Sequence, residues 1–591
     1  MARVGATADE TFSGVYNART FNGACEHARD YCRMHDLIIK NARLCDGLGS
    51  PLTAGDLAVS GDRIAAMGNV VGPAREIIDA DGLVLAPGIV DTHTHYDAQI
   101  TWDPSVDPSP RLGVTTVVIG NCGFTIAPCK PEDRDLTMRN LVRVEGMSIE
   151  ALRMGINWDF ESFPEYLDAV EQRGVGPNVA AFAGHSSVRT YVMGEDAPKR
   201  VATDEEISRM QGVVREAMRA GALGFATSTS PSHNGASGDP MPSRLADERE
   251  LNALVGVLGE FGRGVFMLTK GGDTSIEYLE SLAAATGRPV VIAALLHNGT
   301  RPDAVFDDLR KIADGQSRGR QLYGQVSCCP LSMEFTLEAP YPFEGIAAWR
   351  PAMDAADALE SVLRDPAFRK RVKADLETPV AVRLFNGEWD KLRVVEVARP
   401  EHQHFEGRSV DAIAADAGVH PLDWLLDFSI SEGLQTVFTA VLLNSDESAV
   451  ARLLNDPYST IALSDAGAHL SFFCDAGFGL HLLGHWVRDK GVMGLEAAIA
   501  RLTSQPADIF GIRDRGRLVE GAFADLLLID PERVQRGPAR RVFDLPGGAR
   551  RLTTDPVGVH GVWVNGVRIA GGSGACVEGV LPGRLLRDFA S

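Results

Sequence analysis

The sequence has little positive charge and no long apolar run. Lys and Arg number 58 against 79 Asp and Glu in 591 residues, which gives a formal net charge of −21. This balance excludes the basic surface with which proteins bind nucleic acid or anionic membranes. The sequence also lacks a stretch of 18 uncharged apolar residues, so we expect no membrane-spanning helix. The partner we predict is a small-molecule substrate.

The sequence also lacks a disulfide pattern and a secretory signal. Its nine cysteines are scattered without a repeated short spacing, and a chain of this length does not need disulfide bonds to fold. The first residues contain neither a basic region nor an apolar core of a signal peptide. We therefore expect a cytoplasmic protein, either a monomer or a homo-oligomer. Residues 1–33 precede the first strand-like segment and are interpreted as an N-terminal extension or the product of an upstream start codon.

Short β-branched runs separated by turn residues occupy both ends of the chain. DLIIKNARLCDG and DLAVSGDRIAAMG lie near the N-terminus, and GRLVEGAFADLLLID and GVHGVWVNGVRIAGG lie near the C-terminus. The shared strand-turn-strand pattern predicts one small β-sandwich domain formed by residues 34–88 and 511–591.

Between these ends, apolar strand-like runs alternate with amphipathic helical segments. Eight such runs occur, from GLVLAPGIVDTHTH to TIALSDAG, and their apolar character on both faces is typical of parallel strands covered by helices. We therefore predict an α/β fold in which residues 89–510 form a (β/α)8 TIM barrel. The sequence of residues 338–400, between the last two strands, predicts a helical, lid-like insertion over the barrel mouth.

Two histidines end the first predicted barrel strand, in the motif DTHTH. Residues i and i+2 of a strand point to the same side, so His93 and His95 present two imidazoles together. Active sites of these barrels lie at the C-terminal strand ends, and paired imidazoles suit a divalent metal ion. The alternative is a pair of polar residues at a strand end.

Two further strand ends carry ligand-type residues. Cys122, in GNCG, follows the second strand, and a thiolate there would ligate or bridge metal ions. Asp465, in SDAG, follows the eighth strand, and its carboxylate would both ligate a metal and accept a proton from activated water. Each also has a plainer interpretation, because buried cysteine packs as a small apolar residue and SDAG is typical of a loop.

Together these motifs resemble the amidohydrolase superfamily and, within it, the D-aminoacylase (N-acyl-D-amino-acid deacylase) family. The similarity runs from Met34 onward through GIVDTHTHYD, GNCG, AGHSSVR, GALGFATS, LSDAGAHL and LTSQPADIFG. It implies a metal-bearing barrel with a small β-sandwich, one or two Zn²⁺ ions, and hydrolysis of an amide by metal-activated water. It also implies that His93, His95, Cys122 and Asp465 bind metal and that Asp465 is the general acid/base.

Two motifs depart from the family pattern. The fifth strand has Lys270 where the family has a histidine ligand, and a lysine would ligate metal only after carbamylation by CO2; otherwise it contributes a positive charge. The family motif SHHK on the sixth strand is replaced by AALL, with His297 shortly afterwards as a substitute ligand. No nearby residue replaces the family lysine that binds the substrate carboxylate.

Three other residues are candidates for substrate contacts. His185 ends the third strand, where it would face the substrate, stabilise an oxyanion or make a structural hydrogen bond. Tyr323 and Gln325 lie on the seventh strand, where the family places a tyrosine over the substrate. Both are therefore predicted as polar substrate contacts.

Three functions follow from these observations. The first is metal-dependent hydrolysis of the amide bond of an N-acyl amino acid or a related N-acyl compound. The second is hydrolysis of an uncharged amide, lactam, carbamate or ester, which the missing carboxylate-binding lysine would favour. The third is a non-catalytic, ligand-binding barrel that has lost two metal ligands.

Overall fold

A computed structural model describes residues 34–590, apart from residues 145, 236–237, 379, 381–382, 471–473 and 573. The predicted N-terminal extension, residues 1–33, lies outside the described residues. The strands are β1 (His35–Leu44), β2 (Thr53–Ser60), β3 (Arg63–Gly68), β4 (Ala74–Asp79), β5 (Val84–Pro87), β6 (Ile89–Asp91), β7 (Val114–Ile119), β8 (Asn178–Gly184), β9 (Gly224–Ser228), β10 (Val265–Thr269), β11 (Val290–Ala293), β12 (Leu322–Val326), β13 (Leu331–Phe335), β14 (Leu392–Glu396), β15 (Val437–Leu443), β16 (Ser459–Ile461), β17 (Leu526–Ile529), β18 (Gln535–Leu545), β19 (Ala549–Val557), β20 (Val559–Val564) and β21 (Val567–Gly571).

Helices occupy most of the connections between the barrel strands. The α-helices are Arg134–Val144, Ile149–Gly155, Phe163–Arg173, His185–Met193, Asp204–Ala220, Glu248–Phe261, Ile276–Thr286, Ala304–Ser317, Arg350–Met353, Leu359–Arg364, Pro366–Leu376, Val410–Ala417, Pro421–Ser431, Glu447–Asn455, Phe478–His481, Leu495–Leu502 and Ser504–Ile509. A π-helical segment, Leu482–Asp489, continues from one of them. Within the described ranges, no helix has both the length and the apolar character needed to cross a bilayer.

Eight parallel strands form the barrel. Their order is β6-β7-β8-β9-β10-β11-β12-β16, and each pair is parallel. The two outer strands meet just beyond their ends, where Thr94 forms a parallel bridge with Ala466 and the His95 amide donates a 2.7 Å hydrogen bond to the Ala466 carbonyl. The predicted α/β barrel and its eight strands are confirmed.

Apolar side chains fill the barrel below its C-terminal rim. One buried cluster includes Val118, Phe182, Met267 and Val291 from four strands, together with Phe510 from the C-terminal region. Interiors of eight-stranded barrels are packed cores rather than pores. The space available for a ligand therefore lies above this cluster, at the C-terminal strand ends.

A second eight-stranded sheet joins the two ends of the chain. Its order is β21-β20-β17-β5-β1-β2-β3, with β4 beside β1, and the antiparallel pair β5 and β17 links the N-terminal and C-terminal strands. Buried side chains such as Leu37, Val59, Leu526 and Trp563 form its apolar core. The similar strand-turn pattern at both ends thus reflects one shared sheet.

A separate layer of the chain lies between β12 and β16. This insertion layer, residues 331–443, contains the antiparallel sheet β13-β15-β14 and several short helices around their own apolar core. It extends beyond the predicted range 338–400 because β13 and β15, which frame it, lie outside that range. Leu331 and Met333 of β13 and Leu443 of β15 reach the cavity above the barrel.

Candidate metal centre and active site

Four ligand-type side chains meet at the ends of β6, β7 and β16. The ligand atoms of His93, His95 and Cys122 lie within 4.8 Å of one another, with Cys122 Sγ 3.5 Å from His93 Nε2 and 4.0 Å from His95 Nε2. Asp465 Oδ1 lies 3.2 Å and 3.5 Å from the same two nitrogens. We call these four side chains the donor cluster.

The separations of 3.2–4.0 Å within the donor cluster are close to those between ligands of one tetrahedral ion. Zinc–nitrogen and zinc–sulfur bonds of about 2.1 and 2.3 Å place ligand atoms roughly 3.3–3.8 Å apart. Two imidazoles, one thiol and one carboxylate also provide the mixture of nitrogen, sulfur and oxygen that zinc accepts. The donor cluster therefore fits a divalent metal ion such as zinc.

The turn after β7 fixes the position of the thiol. Cys122 has a φ of 56°, in the left-handed region that non-glycine residues rarely adopt. The next residue, Gly123, has a φ of 76°, and a Cβ there would lie 2.6 Å from the Ala226 carbonyl oxygen and 3.0 Å from the His185 amide nitrogen. Only glycine fits this close approach, so packing against β8 and β9 holds the turn in place.

Nearby imidazoles favour the anionic forms of both acidic donors. Burial alone would raise the pKa of the Asp465 carboxyl, but His93, His95 and His469 hold it well below its usual range. Burial likewise opposes ionisation of Cys122, yet His93 and His95 lower the pKa of its thiol to about 7. Carboxylate and thiolate are the forms that bind a cation.

A cavity of about 330 Å³ adjoins the donor cluster. Its lining also includes apolar side chains of the insertion layer, among them Leu331, Met333 and Leu443. A pocket of this size that combines an apolar wall with a few polar groups is typical of a small-molecule site.

Comparison with known proteins identifies the chain. The model of a family described as "Amidohydrolase family" matches residues 76–570, which include the whole barrel and all four donors. The chain belongs to the amidohydrolase family. The resemblance seen in the motifs is thereby confirmed, and so is the predicted class of enzyme, a metal-dependent hydrolase of carbon–nitrogen bonds other than peptide bonds.

This amidohydrolase is similar to several proteins along most of its length. An uncharacterised protein of Mycobacterium tuberculosis (strain ATCC 25618 / H37Rv) is 30% identical over 568 residues, covering 88% of each chain. The D-aminoacylase of Alcaligenes xylosoxydans xylosoxydans is 29% identical over 545 residues, covering 90% of this chain and 94% of the relative. The crystal structure of N-acyl-D-glutamate deacylase from Bordetella bronchiseptica, with zinc and a phosphonate that mimics the tetrahedral intermediate, has a TM-score of 0.64 and 25% identity, covering 94% of this chain and 100% of that one.

Gln325 contacts a donor of this amidohydrolase instead of lining the cavity. Its Oε1 lies 2.6 Å from His93 Nδ1, and its Nε2 donates to Thr92 Oγ1 at 3.2 Å. An imidazole that donates from Nδ1 keeps its lone pair on Nε2, the atom that faces Cys122 and Asp465. Gln325, predicted as a substrate contact, is therefore placed to orient His93.

Lys270 lines the cavity, but its ammonium group has an acidic partner. Lys270 Nζ lies 3.1 Å from Oδ2 of Asp308, on the helix Ala304–Ser317. The preceding residue, Thr269, contacts the donor cluster, since its Oγ1 lies 3.0 Å from Cys122 Sγ. A protonated lysine cannot ligate a cation, and its carbamylation stays a prediction.

His297 and Tyr323 lie outside the described cavity lining. The neighbours of His297, Leu296 and Asn298, do line it, whereas the His297 ring is buried 6.3 Å from the ring of Phe306. The His297 amide donates to Asn444 Oδ1 at 2.8 Å and its carbonyl oxygen accepts from the Asn444 amide at 2.9 Å, which fixes the backbone at this position. Tyr323 packs against the apolar cluster of the barrel interior, below the rim.

His185 is also buried beneath the rim. Its Nδ1 lies 2.7 Å from Thr227 Oγ1 and its Nε2 lies 2.8 Å from Glu250 Oε1, and Glu250 in turn pairs with Arg189. Both ring nitrogens are thus engaged by protein groups. The described geometry agrees with the structural hydrogen-bonding role that the sequence left open, since it offers no ring nitrogen to a substrate.

Several residues at the cavity were not singled out from the sequence. His233 and His469 line it, as do Thr269 and Tyr341. His233 belongs to a loop and Tyr341 begins a three-residue 3-10 helix, Tyr341–Phe343, and neither segment has a periodic pattern that predicts which way a side chain points. The available signal was position, because the loop that carries His233 follows a barrel strand at its functional end.

Proposed function

We propose that this amidohydrolase removes the acyl group from N-acyl amino acids with one zinc ion bound by the donor cluster. The observation that carries the proposal is the convergence of four ligand atoms beside a cavity at the barrel rim. The relatives named D-aminoacylase and N-acyl-D-aspartate deacylase support the substrate class and the D configuration.

The chain's own groups carry the proton transfers of the proposed reaction. When bound, zinc supplies a Lewis acid that polarises the amide carbonyl and promotes the ionisation of water. Asp465 accepts the proton of the attacking water and delivers it to the leaving nitrogen. A carbon–oxygen bond forms and the carbon–nitrogen bond breaks, which releases a carboxylate and an amine. The apolar wall of the insertion layer shields the site from bulk water.

A single ion is proposed because the opposite side of the rim offers no comparable donors in the described ranges. Lys270 pairs with Asp308, and His297 is not among the residues that line the cavity, since its ring lies 6.3 Å from the ring of Phe306. These are the two positions at which the sequence predicted further ligands. Gln325 and Thr269 contact His93 and Cys122, respectively, so they support the donors of this one site.

A second candidate function is hydrolysis of an uncharged amide, lactam, carbamate or ester. The observation that favours it is the Lys270–Asp308 ion pair, because Lys270 is the one Lys or Arg among the described cavity-lining residues. A lysine whose charge is already balanced binds a substrate carboxylate weakly. The third candidate, a non-catalytic barrel, is disfavoured by the intact donor cluster.

The cysteines support the proposal of a cytoplasmic location. All seven cysteines within the described ranges are free thiols. One of them, Cys122, is a proposed zinc ligand and requires the reduced form. Reducing compartments preserve such thiols, whereas oxidising ones favour disulfides.

Metal analysis and a substrate panel test these proposals. The purified protein should contain one zinc ion per chain, and chelation should abolish turnover until zinc is restored. The panel compares N-acetyl-D-leucine with its L enantiomer, with the uncharged N-acetyl-D-leucinamide and with a lactam. Preference for the D acid supports the leading proposal, and hydrolysis of only the uncharged compounds supports the second. A metal-free protein that zinc does not activate would overturn both.

A further inference from the structure

The loop after β9 places the imidazole of His233 in the cavity. This imidazole has no role in the reaction proposed above. This loop supplies Ser230, Pro231, Ser232 and His233 to the cavity wall, on which Asp465 also lies. The Nδ1 atom of His233 lies 2.6 Å from Ser228 Oγ, at the end of β9. The bound nitrogen is thus Nδ1, which leaves Nε2 as the ring atom available to a ligand.

The position of His233 is fixed by its surroundings. Its ring packs edge-on against Phe124 with the centroids 4.9 Å apart. Its carbonyl oxygen accepts hydrogen bonds from the Met241 amide and from Arg244, each at 3.1 Å. A side chain held in advance in this way loses little conformational entropy when it contacts a substrate.

The hydrogen bonds of Ser228 determine which nitrogen of His233 carries the proton. Ser228 is fully buried, so its hydroxyl proton needs an acceptor. Its Oγ already accepts a hydrogen bond from the Ser230 amide at 3.1 Å, and His233 Nδ1 is the acceptor that the described structure offers to the hydroxyl. A neutral imidazole that accepts at Nδ1 carries its proton on Nε2.

The charge state of His233 agrees with this arrangement. Burial lowers the pKa of the imidazole to about 3, helped by His469 and His95 nearby. The lowered pKa favours the neutral imidazole, the form that accepts the hydrogen bond at Nδ1. A neutral Nε2–H group donates a hydrogen bond but does not release a proton to the substrate.

A hydrogen-bond donor from His233 matters because the described residues on the opposite side of the rim, near Lys270 and His297, do not supply a second electrophile. One ion bound by the donor cluster would be the only electrophile for the developing oxyanion, because the described contacts of Lys270 and His297 do not make either of them a second. Fixed donors aimed at an oxyanion are among the most effective catalytic devices, because they need no reorganisation during the reaction. We propose that His233 donates its Nε2–H to the carbonyl oxygen of the scissile amide and stabilises the oxyanion that forms there. This inference rests on the proposed function.

Kinetics of a His233→Leu variant test the proposal. Loss of an oxyanion donor should lower kcat by about 10²–10³-fold while changing KM by less than about threefold. Zinc content should equal that of the wild type. His233→Gln retains an N–H donor and should recover part of the lost rate. The matched control is His560→Leu, which removes an exposed imidazole from β20 and should leave all these values unchanged.

A phosphonate analogue of N-acetyl-D-leucine separates a catalytic role from a structural one. Its affinity, measured by calorimetry, should fall in His233→Leu by the same factor as kcat/KM, while the affinity for the product D-leucine stays constant. Ser228→Ala removes the hydrogen bond that fixes the tautomer of His233 and should lower the phosphonate affinity about tenfold. It provides an independent test if His233→Leu fails to fold.

The outcomes distinguish this inference from the proposed function. Equal phosphonate affinity in wild type and His233→Leu overturns the role of His233, and this binding measurement needs no turnover. Zinc loss in the variant also overturns it, because His233 would then be a metal ligand. A wild type that hydrolyses none of the panel refutes the proposed function alone, while phosphonate binding still decides the role of His233.

Discussion

The two sides of the barrel rim use the same scaffold in opposite ways. On one side, the ends of β6, β7 and β16 direct four donor atoms to one point. On the other, beyond β10 and β11, Lys270 pairs with Asp308 and the His297 ring packs near Phe306. Parallel strands end alike on both sides, so the difference lies in the partners of each side chain.

This contrast shows that a residue at a strand end becomes a ligand only if its neighbours leave it available. Gln325 binds the outer nitrogen of His93 and leaves Nε2 facing the donor cluster. Asp308, in contrast, engages the only charged group of Lys270. The first side therefore fits a metal ion, and the second, among the residues that the structure describes, offers no comparable set of donors.

The largest expected effect comes from the carboxylate on the donor side. Asp465→Asn removes the proposed proton acceptor, so kcat should fall by more than about a hundredfold, with an unchanged melting profile. The rate is measured at saturating zinc, because Asp465 is also a proposed ligand. The matched control, Asp308→Asn, makes the same change on the other side and should retain most of the rate. Comparable rates in wild type and Asp465→Asn would contradict the mechanism.

A smaller effect is expected where a neighbour supports a donor. Gln325→Leu removes the acceptor for His93 Nδ1, and such supporting bonds typically contribute 10–100-fold in metal affinity. Competition with a zinc chelator measures the loss. Gln325→Glu keeps an acceptor and should retain most of the affinity, as should the control Tyr323→Phe on the same strand. Wild-type affinity in Gln325→Leu would show that His93 needs no such support.

The donor side could be predicted from the sequence and the other side could not. His93, His95, Cys122 and Asp465 directly follow apolar strands, and strand period and barrel order alone place them together. The partners of Lys270 and His297 come from a distant helix and from the end of β15, respectively, which no local pattern reveals. The sequence likewise contains no indication of the position of His233, because its loop has no periodic pattern. The range 338–400 leaves out β13 and β15, which frame the insertion layer, because β13 follows the barrel strand β12 almost directly.

Replacement of Lys270 tests whether the second side takes part in metal binding. If Lys270 is only an ion-pair partner of Asp308, Lys270→Met should keep one zinc ion per chain and lower stability by at most about 1 kcal/mol. Metal analysis and thermal unfolding check both expectations. If Lys270 is carbamylated and ligates metal, the wild type should instead lose zinc in CO2-free buffer and regain it with bicarbonate.

The smallest effect is expected at His297. Its ring lies 6.3 Å from the ring of Phe306, and its hydrogen bonds with Asn444 are made by its own backbone amide and carbonyl groups, so His297→Leu preserves these hydrogen bonds. Zinc content should be unchanged and kcat should stay within about twofold, as for substitutions away from a site. Loss of zinc in this variant would instead show that the His297 ring turns toward the rim and binds metal. Both sides would then supply metal ligands, and the proposal of a single ion would fail.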